Sequence, residues 1–350
     1  MNTSLSTRAP RHHALASPQR LVGIDAARGL AVLTMFVAHF APSGGPGGLL
    51  GLSEFLAAPL FVAVMAVGAH LSYAHHGWAH MALAMLPRAA ILWAVGLVLE
   101  EAGAQIDVVL GALAVTALCL PLLVPLPSWA LGLVGVGAML VGPALRDGLQ
   151  TPMLEATVNG HRHVADLLGV LGAGPHYRLA PFIAYAALAI LVARHAQDLR
   201  SRIGLGVAGL ALAGALMVLN RRGNPDFQPY DGSVWATLTS SGLVMAALLA
   251  CVVVGAAWPA VAGPLATVGR TALTVYALQI VAAAAWVRVL GHRTDNSWLL
   301  LGACGLGAWV VAALWQALLP GRGPLELVSD GLAGAVRSLL PTQRRGTAGR

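Results

Sequence analysis

The chain has 350 residues, 57% of them hydrophobic and 10% charged, with a formal net charge of +7 and a mean hydropathy of +0.75. A water-soluble domain carries about 25% charged residues, so the composition excludes one and points to a membrane protein. All 21 basic residues are Arg. They sit in the tails and between apolar runs, where they set orientation, and form no basic patch interleaved with aromatics, so nucleic acid is not an expected partner.

Residues Met1–Arg20 are polar, lack the apolar core of about 7–15 residues that a signal peptide needs, and read as a disordered cytoplasmic tail. A spanning helix takes roughly 20 apolar residues. About ten such stretches follow, near 22–41, 52–74, 84–102, 105–124, 128–145, 177–194, 203–219, 236–257, 268–290 and 298–319. They lack the alternation of a membrane barrel, so the expected fold is all-α, one polytopic helical bundle over residues 21–320. Only Gly103 and Ala104 separate the third and fourth stretches, which gathers Glu100, Glu101 and Asp107 at one interface or along a wet cavity. The longest loop, Asp147 to His176, carries Glu155, His161, Arg162, His163, Asp166 and His176.

Seven arginines (Arg146, Arg162, Arg178, Arg221, Arg222, Arg288 and Arg293) fall on one side of this scheme and fourteen on the other. That bias puts both termini in the cytoplasm and the protein in the cytoplasmic membrane, surrounded by lipid. Trp78, Trp129, Trp235, Trp258 and Trp298 fall at the ends of stretches, as an interfacial belt does. Cys119, Cys251 and Cys304 lie inside apolar runs with no CxxC spacing and read as small buried hydrophobes. In the C-terminal tail, 321–350, apolar residues such as Leu325, Val328 and Leu332 recur at helical spacing, which suits a short helix lying on the membrane.

Charges inside spans cost about 2.5–3.5 kcal/mol each at a helix centre, which makes the first stretch informative. Asp25 and Arg28 are three residues apart and can pair on one helix face. His39, eleven residues beyond Arg28, returns to nearly the same face about 16 Å along the axis. One stripe then carries a cation near the cytoplasmic end and an imidazole near the outer end, which suits a donor from the cytoplasm and an acceptor outside. The alternative is an ion pair at the membrane surface and a capping histidine.

The string Arg20-x-x-Gly-Ile-Asp25-x-x-Arg28-Gly-Leu-Ala-x-Leu-x-Met35-x-x-x-His39 resembles the opening of the bacterial heparan-alpha-glucosaminide N-acetyltransferase catalytic-domain-like family, within the wider transmembrane acyltransferase group. Pro59–Gly68, Pro175-His176-Tyr177 with Pro181–Tyr185 and Arg194, Asp231-Gly-Ser233 to Leu243, Gly269-Arg270 to Gln279, and Gly323-Pro324-Leu325-Glu326 resemble further blocks in the same order. The likeness covers most of residues 20 to 327. The chain departs from the lysosomal enzymes of the group, which have Asn in place of His39 and a histidine in the following loop; here Pro42–Ser53 has none.

The resemblance implies transfer of an acyl group, typically acetyl from acetyl-CoA, to a hydroxyl or amine of a sugar-containing or glycolipid acceptor, with no permanently bound cofactor. His39 would be the base, with an acetyl-imidazole as the alternative. Arg28 and Arg270, with Thr274, would hold CoA phosphates or polarise the thioester, and Asp25 would orient Arg28. Glu54, Glu101, Asp107 and His176 fall on the outer side and either complete an acceptor site or cap helices. His161, His163 and Asp166 carry no metal-site spacing beyond themselves. His75, His76 and His80 flank a cytoplasmic turn and read as solvated, while His70 reads as an interhelical hydrogen bond or a donor contact.

Gln279 lies nine residues from Arg270, about 180° away on a straight helix, so either it bonds a neighbouring helix or the segment bends. Two other functions remain in play. A proton-coupled transporter or flippase would also use intramembrane Asp, Arg and His, although no second copy of the Asp25–His39 block is visible. A purely structural partner leaves the charged residues without a purpose. The oligomeric state, monomer or homodimer, stays open.

Overall fold

The computed structural model describes residues 18–42, 45–291, 297–319 and 321–338, with side chains from Val22 onward, Arg337 apart. The expected N-terminal tail up to Ser17, Arg293 and the tail beyond Ser338 lie outside the described residues. Among those described the chain is all-helical, with no strand. The helices are α1 (Pro18–Phe40), α2 (Leu52–Glu100, after a 3-10 turn at Pro46–Gly51), α3 (Leu110–Leu123), α4 (Ser128–Val158), α5 (Arg162–Leu168), α6 (Leu179–His195), α7 (Leu199–Arg221), α8 (Val234–Ala257), α9 (Pro259–Gly269), α10 (Ala272–Leu290), α11 (Trp298–Leu318) and α12 (Pro324–Ser338).

Seven of these helical runs, α1, α2, α4, α7, α8, α10 and α11, are long and apolar enough to cross a membrane. The 49-residue α2 is broken at Gly77, whose φ of 79° and ψ of 176° suit a residue without a Cβ, so it is two helices folded at that residue. The break falls between the predicted stretches 52–74 and 84–102. With 14 and 17 residues, α3 and α6 reach about 21 and 26 Å, less than a hydrocarbon core of about 30 Å.

The structure corrects several expectations. The fourth stretch starts as helix only at Leu110, because Glu101–Val109 form turns and irregular backbone. The expected loop after Asp147 is largely helical: α4 runs on through Pro152 to Val158, and α5 with a π turn at Gly169–Ala173 fills much of the rest. The predicted span 268–290 is interrupted, since α9 ends at Gly269 and α10 begins at Ala272. The C-terminal helix forms as α12, but it docks on the bundle with Ala333 fully buried.

Burial separates centre from periphery. Half of the apolar window of α1 and 61% of that of α2 are buried, against 11% for α4 and 17% for α7 and α11. The outer helices expose Leu133, Leu140, Leu210, Leu306 and Leu314, as a lipid-facing surface does. Trp129, Trp235, Trp258 and Trp298 stand exposed at the starts of α4, α8, α9 and α11.

Close approach of small residues locks α1 into the centre. A Cβ on Gly29 would meet the Leu265 carbonyl oxygen at 1.9 Å, one on Gly269 the Asp25 carbonyl oxygen at 1.8 Å, and one on Gly255 the Gly23 Cα at 2.6 Å. Without a hydrophobic drive in lipid, such backbone-to-backbone packing is what holds helices together. It also delivers Arg270, the residue after Gly269, to the charged end of α1.

Candidate functional site

At that end of α1 lies a cavity of about 650 Å³. Its wall takes arginines from four places: Arg28 on α1, Arg88 on α2, Arg270 between α9 and α10, and Arg322 ahead of α12. They are organised by two shared carboxylates. Asp25 accepts from Arg28 Nη1 at 2.8 Å and lies 3.5 Å from Arg270 Nε. Asp330 of α12 accepts from Arg88 Nη2 at 3.2 Å and from Arg322. Each group of two guanidiniums and one carboxylate keeps a net positive charge and spare N–H donors, the make-up of an anion site. Arg28 lies within electrostatic reach of Arg88 and Arg322, so the two groups act together.

The third carboxylate on this wall, Glu326, is engaged. It accepts from the backbone N–H of Leu273 at 2.6 Å and of Thr274 at 3.2 Å, and from the Thr274 hydroxyl at 2.6 Å. An acid at a helix N-terminus satisfies orphan donors there, so Glu326 ties α12 to the start of α10. Thr274, expected to touch the donor, instead holds α12, because its hydroxyl points at Glu326; Leu273 and Tyr276 line the cavity in its place. His75 and His76 are exposed as expected but also line this cavity.

Farther along α1, the His39 Nδ1 is 2.7 Å from the Gln279 side-chain nitrogen on α10. Both alternatives raised by the position of Gln279 are realised: the chain breaks at Arg270–Thr271, and Gln279 bonds a neighbouring helix. His39 lines neither this cavity nor the one described next. On α10, Tyr276 lines the wall of the first cavity and Gln279 follows three residues later, about 4.5 Å along the axis. The Tyr276 hydroxyl accepts from the Val109 N–H at 3.2 Å.

A second cavity of about 450 Å³ opens at the other end of the bundle, lined by Trp93, Glu100, Asp107, Asp166, His176 and Tyr177 among others. Residues 106–113 divide the two: Ile106–Val108, Gly111 and Ala112 face this one, while Val109, Leu110 and Leu113 face the first. Asp107 and His176 are paired through a hydrogen bond, Glu54 acts electrostatically on His176, and His39 acts on Asp107. The structure therefore joins Asp107 and His176 from separate segments, with Glu54 and His39 within electrostatic reach of that pair. Glu101 is elsewhere, in an exposed pair with Arg162 at 2.9 Å. Arg178, only 4% exposed, donates to the carbonyls of Gly174 (2.6 Å), Pro175 (2.9 Å) and Tyr230 (2.9 Å) and so fixes the turn that presents His176 and Tyr177.

The hydrogen bond to His176 holds the Asp107 carboxyl below its usual range, and the same bond raises His176. Asp107 contributes stability above its ordinary pKa of about 3.9 and loses it as pH falls through the lowered value; His176 contributes below about 6.5 and loses it as pH rises through the raised value. The pair is strongest between those limits. Both side chains are about half exposed, so the gain is at most about 1 kcal/mol. Thermal unfolding of His176→Gln against pH is expected to lack the wild-type maximum in this window; identical profiles would show that the pair contributes nothing.

His161 and His163 are exposed, and among the described residues no three His, Cys, Asp or Glu side chains converge as metal ligands. His70, read as an interhelical hydrogen bond or a donor contact, is buried, and among the described residues its Nδ1 makes no hydrogen bond. Arg88, Arg322, Glu326, Asp330 and Tyr276 are the residues that sequence reasoning left without a role. Comparison with family models, curated proteins and solved structures gives no match to this chain.

Proposed function

We propose that this protein is an integral-membrane acyltransferase that takes an acetyl or related acyl group from cytoplasmic acyl-CoA. In this reading α2 crosses twice by folding at Gly77, α3 and α6 cross in thinner parts of the bundle, and the chain passes ten times through the cytoplasmic membrane with both termini inside. It keeps the fold and activity implied by the likeness to the heparan-alpha-glucosaminide N-acetyltransferase catalytic-domain-like family.

The observation that carries the proposal is the cavity at the Arg28 end of α1, where four arginines converge on two carboxylates. Guanidinium forks match phosphate oxygens, and the apolar side chains of Phe61, Met65 and Leu92 on the same wall suit the rest of a CoA molecule. Its thioester end would extend past Tyr276 toward His39. The acceptor, a sugar or glycolipid hydroxyl or amine, would approach from the side of Glu54, Asp107 and His176. As its oxygen or nitrogen attacks the thioester carbonyl, His39 takes the proton; the acyl bond forms, the C–S bond breaks, and His39 passes the proton to the departing thiolate.

One observation favours a second reading. Two cavities at opposite ends, divided by residues 106–113, are also what an alternating-access carrier of an anion would need. Binding of acetyl-CoA and its dephospho analogue to the protein in nanodiscs separates the two. Saturable binding of acetyl-CoA, weakened at least about tenfold in Arg28→Ala or Arg270→Ala but kept in His39→Ala, supports acyl transfer. An absence of binding in every form removes the proposal in favour of transport.

A further inference from the structure

Tyr276, on α10, is 3% exposed yet lines the first cavity beside Val109 and Leu110. Its hydroxyl oxygen accepts from the Val109 backbone N–H at 3.2 Å. A phenol that accepts one bond still has its own O–H to give, and among the described residues no acceptor takes it. Its neighbours fix where that donor stands. Glu100 and Asp107, which line the second cavity, act electrostatically on Tyr276, so the side chain lies at residues 106–113, which divide the two cavities. Asp107 acts on His39 as well. Gln279, whose side chain is 2.7 Å from His39, follows Tyr276 by three residues, and positions three apart share a helix face. A donor without an acceptor therefore sits at the divide, on the face of α10 that carries the partner of His39.

We propose that Tyr276 is a catalytic residue of the acyl transfer: its hydroxyl donates to the thioester carbonyl oxygen and stabilises the oxyanion that develops there. The inference rests on the acyl-transfer reading. As the acceptor attacks, the carbonyl π pair moves onto oxygen, and the Tyr276 O–H bonds that oxygen without giving up its proton. When the pair returns, the C–S bond breaks, and the acceptor's proton passes through His39 to the departing thiolate. Two features suit Tyr276 to this part. The bond from Val109 N–H polarises the phenol and strengthens it as a donor, and it ties the hydroxyl to folded backbone, so that no reorganisation accompanies the reaction. Burial is the second. His75 and His76, donors on the same cavity wall, are exposed and compete with water for any oxyanion, whereas a buried donor acts where water screens least.

Two readouts test this. Infrared difference spectra of acetyl-CoA labelled with carbon-13 at the thioester carbonyl, bound to the protein in nanodiscs, report a hydrogen bond to that oxygen without turnover or acceptor. The wild type is expected to shift the carbonyl band to lower frequency, and Tyr276→Phe to return it to the position of a carbonyl without a donor. 3-Fluorotyrosine placed at position 276 keeps the acceptor that the Val109 N–H needs and is the stronger donor, so it is expected to lower the band further even if Tyr276→Phe fails to fold. The second readout is thiol release from acetyl-CoA with glucosamine as the acceptor probe. Tyr276→Phe is expected to lower kcat about 10²–10³-fold, the loss on removing one oxyanion donor, with KM for acetyl-CoA nearly unchanged. A purely structural role for the Val109 contact would not move the carbonyl band. A band at the same frequency in the wild type and the two variants overturns the assignment while leaving the acyl-transfer reading intact. Weaker binding in Tyr276→Phe with kcat unchanged also overturns it, since the hydroxyl would then hold another part of the donor molecule. A wild type that does not bind acetyl-CoA removes the acyl-transfer reading and this assignment with it.

Discussion

His39→Ala is expected to lower acetyl transfer from acetyl-CoA by about 10²–10⁴-fold, the range that a positioned general base supplies, while acetyl-CoA still binds with nearly its wild-type affinity. The separation follows from where the side chain lies. His39 lines neither cavity, so removing its ring leaves the four arginines of the first cavity and their two shared carboxylates untouched. The substitution does remove the polar partner that the buried Gln279 amide has among the described residues. A stability loss of about 1–3 kcal/mol accompanies it, and His39→Ala combined with Gln279→Leu is expected to recover part of that loss without recovering turnover. Unfolding in detergent read beside thiol release distinguishes the two effects. A His39→Ala protein that turns over at the wild-type rate would remove His39 from the chemistry altogether.

The parts of this site legible in the sequence are those set by local spacing. Asp25 and Arg28 pair because three residues nearly complete one helical turn, and the misfit between Arg270 and Gln279 on a straight helix foretold that something there must bend or bond sideways. Of the four residues expected on the outer side, Glu54, Glu101, Asp107 and His176, the structure pairs Asp107 with His176 and sets Glu101 apart with Arg162. Contacts across long stretches of chain were not legible. Arg88 and Asp330 meet 242 residues apart, and neither the pairing nor the capping of α10 by Glu326 leaves a trace in periodicity.

Where the element boundaries differ, the cause is physical. Apolar composition marks what leaves water, not what is helical, so Gln105–Val109 read as the start of a span although none of them is helical and Val109 is buried. Conversely, Asp147–Val158 is polar enough to read as loop, yet it propagates the helix already nucleated in α4, since adding a residue to an existing helix costs far less than starting one. The amphipathic α12 illustrates a third case. Its pattern suits a membrane surface, but Glu326 and Asp330 find partners on the bundle and turn the helix into a wall of the arginine-lined cavity.

That wall works only if α9 approaches α1 closely, and one methyl group tests it. Gly269→Ala is expected to destabilise the protein at or above the upper end of the roughly 1–3 kcal/mol seen for overpacking, despite a helix-propensity gain of up to about 1 kcal/mol. The added Cβ would lie 1.8 Å from the Asp25 carbonyl oxygen and 2.9 Å from the Gly29 nitrogen. Both are backbone atoms of a central helix and have no rotamer by which to give way. The helices must then separate, and Arg270, next in the chain, moves off the Asp25 carboxylate that it shares with Arg28. Acetyl-CoA affinity should therefore fall together with stability, although no cavity-lining side chain has been altered. Gly263→Ala, in the same helix α9 with nothing within 4 Å of its added Cβ, is the matched control and should leave both quantities unchanged or slightly improved. Equal behaviour of the two variants in detergent-induced unfolding would mean that α1 and α9 are not in backbone contact, and the convergence of Arg28 and Arg270 on Asp25 would lose its structural basis.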